Sequence, residues 1–347
     1  MAPVRAAGKG GLAPAAFWRA FAPESVMPPT RAMSIGALFI LILPVFALIG
    51  VGVALRRFQL IEGVAETSLI RFVVFICMPC LAFDTVVGNA SLREPANLFL
   101  PPLAGFVTTA AGILLAYGAA RLIGLEKGAG LRTFGFSAGI FNYSYIPFPI
   151  IGALWGSQTQ GVLLVHNMGV ELAIWSVGIL VLTGASLRHG WRRVITPMLV
   201  VLLTAVAINL LGAAGYVPAF VRSIAHSLGV CAIPVGIVMT GANLANYLDQ
   251  PSKLVHPRVA LTATLVRLGI LPVLMIALAR FLPCSVDLKR VIVVQAAMPA
   301  GVIPIIIAQY YGGQPLTAVQ IVLATTAGGL LTCPLWIRAG LAWVGVG

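Results

Sequence analysis

Charge is what this chain of 347 residues has least of: Asp, Glu, Lys and Arg together make up 9% of it, and the acids number only nine. So few carboxylates, with no HExxH and no nucleophile set beside a histidine, argue against an enzyme. No catalytic residue, metal site or cofactor is expected. The five cysteines, Cys77, Cys80, Cys231, Cys284 and Cys333, are odd in number and fall mostly in or beside apolar runs, so no disulfide framework is expected. Cys77 and Cys80 form a CxxC, but it reads CMPC within a lipid-length segment and lacks the strand-to-helix setting of a redox pair. The formal net charge of +13 comes with no basic stripe or recognition motif, which argues against a nucleic-acid partner.

What the chain has in excess is apolar surface. Hydrophobic residues make up 60% and the mean hydropathy is +1.02, more than a soluble domain of this length can bury. The apolar runs are continuous rather than alternating, so helices in lipid are favoured over a barrel. Ten segments are long enough to cross about 30 Å of hydrocarbon: 36–55, 67–87, 97–120, 133–155, 161–187, 194–213, 223–247, 259–281, 291–311 and 316–343. The uncharged stretch 133–170 is divided at Gly156–Gly161, and the uncharged stretch 291–337 at Gly312–Pro315.

Loops after the odd-numbered segments carry ten basic residues, Arg56, Arg57, Arg121, Lys127, Arg132, Arg188, Arg192, Arg193, Lys253 and Arg258. Those after the even-numbered ones carry five, Arg93, Arg222, Arg280, Lys289 and Arg290. The excess of positive charge places the odd loops in the cytoplasm and both termini on the other side of a cell membrane, the inner one in a bacterium. Residues 1–35 read as a disordered Ala/Pro-rich arm; alternatively residues 1–32 precede a true start at Met33.

Prolines recur at a fixed offset. Adding 155 carries Pro79 onto Pro234 and Pro149 onto Pro304, and superposes PIIGALW (149–155) on PIIIAQY (304–310). The chain therefore divides into a five-helix repeat at 36–187 and a second at 188–347; an odd number of crossings inverts the second copy. Interrupted helices in such repeats meet near the midplane, where half-helix N-termini favour a carboxylate. Pro147 with Pro149, and Pro299 with Pro304, are expected to free backbone groups in helices four and nine. Asn142 offers a donor and an acceptor one or two turns before its break, and Gly301 permits close approach.

Ionisable residues inside apolar spans cost at least about 2.5 kcal/mol each and are candidates for function. Glu171, in HNMGVELAIW, either carries a proton at neutral pH, with Asn167 one turn earlier on the same face, or locks two helices together. Arg267 is either a clamp for a substrate carboxylate or the partner of Glu171. Arg71, Asp84 and His226 are near enough to helix ends to snorkel, and His166 reads as an interfacial residue. Asn243 and Asn246 either line the path or bond between helices.

Several motifs together are specific to one family. LPVFALIGVGVALRRFQL (43–60) followed by LIRFVVFICMPCLAF (69–83), then FNYSYIPFPIIGALWG (141–156), AAMPAGVIPIIIAQYYG (296–312) and VLATTAGGLLTCPLW (322–336), resemble the first two, fourth, ninth and tenth helices of auxin efflux carrier family transporters. The chain departs from the family at Ser144 and Pro147, where glycines are frequent, and at Ile303, where a polar residue is. The resemblance implies an all-α integral membrane protein of ten transmembrane helices in two inverted repeats, with the broken helices 4 and 9 crossed. It implies movement of small organic anions such as malonate or malate, driven by protons or by the membrane potential. A sodium-coupled symporter of the bile-acid type shares the architecture and is the rival reading. The expected substrate-binding set is Asn142, Ser144, Pro147, Pro149, Pro299, Gly301, Pro304 and Arg267, with Glu171 and Asn167 coupling the proton. Besides solute, ion and lipid, a second copy in a homodimer is compatible with the sequence.

Overall fold

In the computed structural model, residues 34–126, 128, 130–184, 196–248 and 256–347 are described. The N-terminal arm up to residue 33 lies outside them, as do Lys127, Arg188, Arg192, Arg193 and Lys253 of the basic loops. The described residues are helical, without a β-strand.

Helix α1, Ile35–Arg57, starts where the Ser34 hydroxyl accepts a bond from the Ala37 N–H at 3.1 Å, and ends on Arg56 and Arg57, cations placed against the negative end of the helix dipole. Helix α2 runs over Gly63–Val86 and α3 over Ala96–Leu122. Within α2 a wider, π-helical turn at Val73–Cys77 lies directly ahead of Pro79, which cannot donate to the helix ladder. The same pairing recurs in α8 (Pro257–Phe281, numbered after the helices below), where a π-turn at Val266–Ile270 precedes Pro272.

Helix α4, Leu131–Gly139, stops short, and residues 140–146 run non-helically into α5, Pro147–Thr183. Helix α6 is Pro197–Leu210 and α7 is Ala219–Ala245. After α8, helix α9 (Val286–Ala297) breaks at residues 298–302 before α10 (Ile303–Tyr310), and α11 (Pro315–Val344) closes the described chain.

Among the described residues seven helices are long and apolar enough to cross a membrane: α1, α2, α3, α5, α7, α8 and α11. The other expected spans take different forms. The fourth is α4 plus the start of α5, the ninth is α9 plus α10, and the sixth is the shorter apolar helix α6. The division expected as a loop at 156–161 is instead a kink inside α5, made at Gly156 with φ 75° and ψ −169°, a conformation that favours glycine.

The polar ends of the helices gather in two sets. In one, the Gln314 N–H donates to the Thr133 hydroxyl at 2.9 Å, the Gln314 side chain to the Gly128 carbonyl, Arg132 to the Thr183 carbonyl at 2.7 Å, and Arg56 to the Asn246 amide oxygen at 2.6 Å. These residues lie in or beside the connections after the odd-numbered expected spans. In the other set, Asn89 donates to the Ser157 carbonyl at 3.0 Å, Asn209 to the Asn89 carbonyl at 2.8 Å, and Ser91 and Thr159 both to Asp287 at 3.0 and 2.8 Å. These lie in or beside the connections after the even-numbered spans.

Packing divides the helices differently from the sequence halves. Helices α1, α2, α6 and α7 pack mainly with one another, while α3, α4, α5, α8, α9, α10 and α11 form a second group. Within each group glycines bring backbones into contact. A Cβ on Gly169 of α5 would lie 1.7 Å from the Pro102 carbonyl oxygen of α3, and one on Gly52 of α1 would lie 2.0 Å from the Val238 carbonyl oxygen of α7. Gly169→Ala is accordingly expected to destabilise the fold by about 1–3 kcal/mol, the usual range for overpacking. Gly118→Ala, which meets nothing within 4 Å, serves as control. Thermal unfolding of purified protein in detergent checks it, and equal melting temperatures for the two variants would contradict the close approach of α3 and α5.

Candidate functional site

The two interruptions touch. The Asn142 N–H donates to the Pro299 carbonyl at 2.8 Å and the Gly301 N–H to the Ile140 carbonyl at 2.9 Å, so Phe141 and Ala300 face each other as an antiparallel pair. A Cβ on Gly301 would stand 3.0 Å from the Phe141 carbonyl oxygen, so a side chain there would crowd the crossing. The prolines of α5 and α10 stand at helix starts. Pro147, Pro149 and Pro304 lie in the first turns of α5 and α10, where an N–H has no helical partner, so they begin the second half-helices rather than freeing carbonyls inside a long one.

Beside the crossing lies a cavity of about 100 Å³. Its walls are both breaks, through 140–145 and 301–303, together with Val74 and Met78 of α2, Asn167 and Glu171 of α5, and Met198 of α6. Of the expected site residues, Asn142, Ser144, Gly301, Asn167 and Glu171 line it, and Pro147, Pro149, Pro299 and Pro304 do not. The space suits a small ion with a few waters; pockets for drug-sized ligands run to about 300–1,000 Å³.

Backbone N–H groups around this cavity divide unevenly. On the α5 side, the Ile146 N–H donates to the Asn142 side-chain oxygen at 3.2 Å and the Phe148 N–H to the Ser144 carbonyl at 3.1 Å, while Pro147 and Pro149 have none to give. The N–H groups of Tyr143, Ser144, Tyr145, Val302 and Ile303 have no hydrogen-bond partner among the described residues, and all five residues line the cavity. Away from bulk water such groups need partners, which a solute or ordered water in the cavity can supply.

A buried polar network holds the first break open. The Asn167 amide donates to the Tyr143 carbonyl at 2.8 Å and to the Ser144 hydroxyl at 3.3 Å. Gln295, fully buried in α9, donates to the same Tyr143 carbonyl at 3.0 Å and to the Asn167 side-chain oxygen at 3.1 Å. On the second break, the Thr325 hydroxyl of α11 accepts from the Ala300 N–H at 3.1 Å. Each break is thus steadied from the next expected span, the fifth through Asn167 of α5 and the tenth through Thr325 of α11, across 24 and 25 residues.

Arg267 corrects the sequence reading. Its side chain is buried on the α8 π-turn, donates to the Ala296 carbonyl at 3.0 Å and lies over the Phe141 ring at 5.2 Å from its centre. It is neither among the residues lining the cavity nor bonded to Glu171; it ties α8 to the last turn of α9 and to the first break. His166, expected at an interface, is fully buried within the protein. Asn243 and Asn246 bond between helices: both donate to Glu66 of α2, at 3.1 Å each, and Arg56 binds Asn246. Asp84 pairs with His226 at 2.9 Å, and Arg71 is exposed. Gln295, Thr325, Tyr145 and Glu66 escape a reading of the sequence. A lone amide or hydroxyl in an apolar helix carries no periodic signal, and Glu66 sits at the edge of its span.

The sequence model of one family, described as membrane transport protein, matches residues 37–190 and 185–337. The chain belongs to this family, the auxin efflux carrier family that its motifs resemble. It is similar to an uncharacterised transporter of Methanothermobacter thermautotrophicus, 26% identical over 304 residues, which cover 85% of this chain and 96% of that protein. It is thus a multi-pass membrane transport protein.

Asn167→Ala and Gln295→Ala are expected to be non-additive, because both side chains serve the Tyr143 carbonyl and bond each other. The double variant should lose less stability than the two singles together, by about 0.5–3 kcal/mol. Melting temperatures of the four proteins read the coupling, and additive shifts would contradict a shared network.

Proposed function

We propose that this protein is a secondary active transporter of small organic anions, mono- or dicarboxylates such as malonate or malate, which bind where the two broken helices meet and are moved by alternating access. The observation that carries the reading is the ring of unpartnered N–H groups on Tyr143, Ser144, Tyr145, Val302 and Ile303 around one small cavity. The N-terminus of α10 adds a partial positive charge, and the Asn142 and Ser144 side chains add polar contacts, a combination suited to a carboxylate.

Ten crossings in two inverted repeats, 36–187 and 188–347, are the topology proposed for this function. It is supported by the gathering of odd and even connections into separate sets and by the matched supports of the two breaks. On this topology both termini lie opposite the basic loops. The two packing groups cut across the repeats, so rocking of one group against the other would carry the crossing with it.

Glu171 is the proposed proton carrier: it is among the residues lining the cavity, and no ion pair to it occurs among the described residues. Protonation of such a group as the anion binds would couple the two without a second charge in the apolar interior. In proteoliposomes, uptake of labelled malonate should rise with an inward proton gradient and be indifferent to sodium. Glu171→Gln should keep malonate binding, read by thermal shift, and lose the dependence on the gradient. Unchanged gradient dependence would reject Glu171, and sodium-dependent uptake would favour the bile-acid type of coupling.

A further inference from the structure

A second cavity of about 90 Å³ adjoins the first. Val74, Tyr145, Val302 and Ile303 line both. Its other walls come from α2 (Ile70 and Val73), α7 (Gly236, Met239, Thr240 and Asn243) and Ile306 of α10. Tyr145 is the polar side chain common to the two spaces, and its hydroxyl has no hydrogen-bond partner among the described residues. The ring is seated on α7 at a glycine: a Cβ on Gly236 would fall 2.2 Å from Tyr145 Cε1. Gly236 therefore makes the space that lets this ring close the gap between the first break and α7.

Beyond the second cavity the polar residues continue outward. Asn243 lines it and donates to Glu66; Asn246 donates to the same carboxylate and, with Arg56, Arg57, Gln59 and Glu62, lines an open hollow at the helix ends. That hollow lies with the connections that follow odd-numbered spans.

We propose that the second cavity is the passage by which the same class of small anion, with its water, reaches the end that carries the odd connections. The Tyr145 ring seated on Gly236 is the partition between the two spaces. This rests on the organic-anion reading of the first cavity. The polar side chains of the second cavity already donate elsewhere: the Thr240 hydroxyl donates to the Gly236 carbonyl at 2.9 Å and the Asn243 amide to Glu66 at 3.1 Å, so the space offers acceptors to water and to a hydrated solute in transit rather than a cradle of donors.

The test uses the full chain in proteoliposomes and a small, membrane-impermeant sulfonate thiol reagent, itself an anion of the right size. The reagent is added from the face that carries the odd connections, and labelling of the unsubstituted chain with its native cysteines is subtracted. Thr240→Cys and, as a second reporter, Ile306→Cys should be labelled in the presence of Tyr145. Ser144→Cys, in the first cavity, should be labelled at least tenfold faster when combined with Tyr145→Ala or with Gly236→Ala, which displaces the ring from its seat. If the second-cavity reporters are unreactive from that face, or the Ser144→Cys rate moves less than twofold in both combinations, the proposal is overturned. The label reads access rather than affinity, so these rates stay interpretable even if carboxylate uptake fails, and the two readings can fall separately.

Discussion

The structure turns on two backbone hydrogen bonds between interrupted helices, from Asn142 N–H to the Pro299 carbonyl and from Gly301 N–H to the Ile140 carbonyl. A non-helical segment in an apolar interior must satisfy its own peptide groups or face a polar cavity. Here each break satisfies part of the other. Neither could persist alone at that depth without leaving its amides unmet, so the two interruptions are mutually dependent, and residues distant in sequence are brought to one place. The rest of the polar interior serves this contact: Asn167 and Gln295 on the Tyr143 carbonyl, Thr325 on the Ala300 N–H, and Arg267 on the Ala296 carbonyl and the Phe141 ring.

The crossing is not symmetric in its chemistry. Prolines at both ends of the α5 first turn remove donors there, and Asn142 and Ser144 occupy two of those left. The α10 turn keeps the donors of Val302 and Ile303. Two half-helices that match in sequence therefore differ in what they offer a solute, and the positive end of α10 is the more available one. The same α10 turn faces both cavities.

Much of this was legible in the sequence, and the reasons for the rest are physical. Long apolar runs give the helices, and the repeated prolines mark where α5 and α10 begin. Proline position does not reveal which amides are consumed, because that depends on local caps such as the Asn142 oxygen on the Ile146 N–H. The kink at Gly156 reads as a loop because Gly156–Gly161 is polar, yet the helix resumes at once. Arg267 reads as a clamp because a cation inside an apolar span demands an anion; a backbone carbonyl and an aromatic face meet part of that demand instead. Gln295 is invisible in sequence because one amide among Val and Ala has no pattern, though its burial beside Tyr143 and Asn167 makes it part of the site.

Phe141 and Ala300 are opposed across a non-hydrogen-bonded antiparallel pair, for which Cα atoms lie about 4.5 Å apart, within the range a disulfide spans. The most direct test of the account is therefore to replace both by cysteine, oxidise the membrane-embedded protein mildly and map the peptides. The account predicts one peptide pair joining positions 141 and 300 within a single chain. Two free thiols after oxidation, in a protein that still folds, would mean that the broken helices do not meet, and the anion site built on their meeting would fall with them.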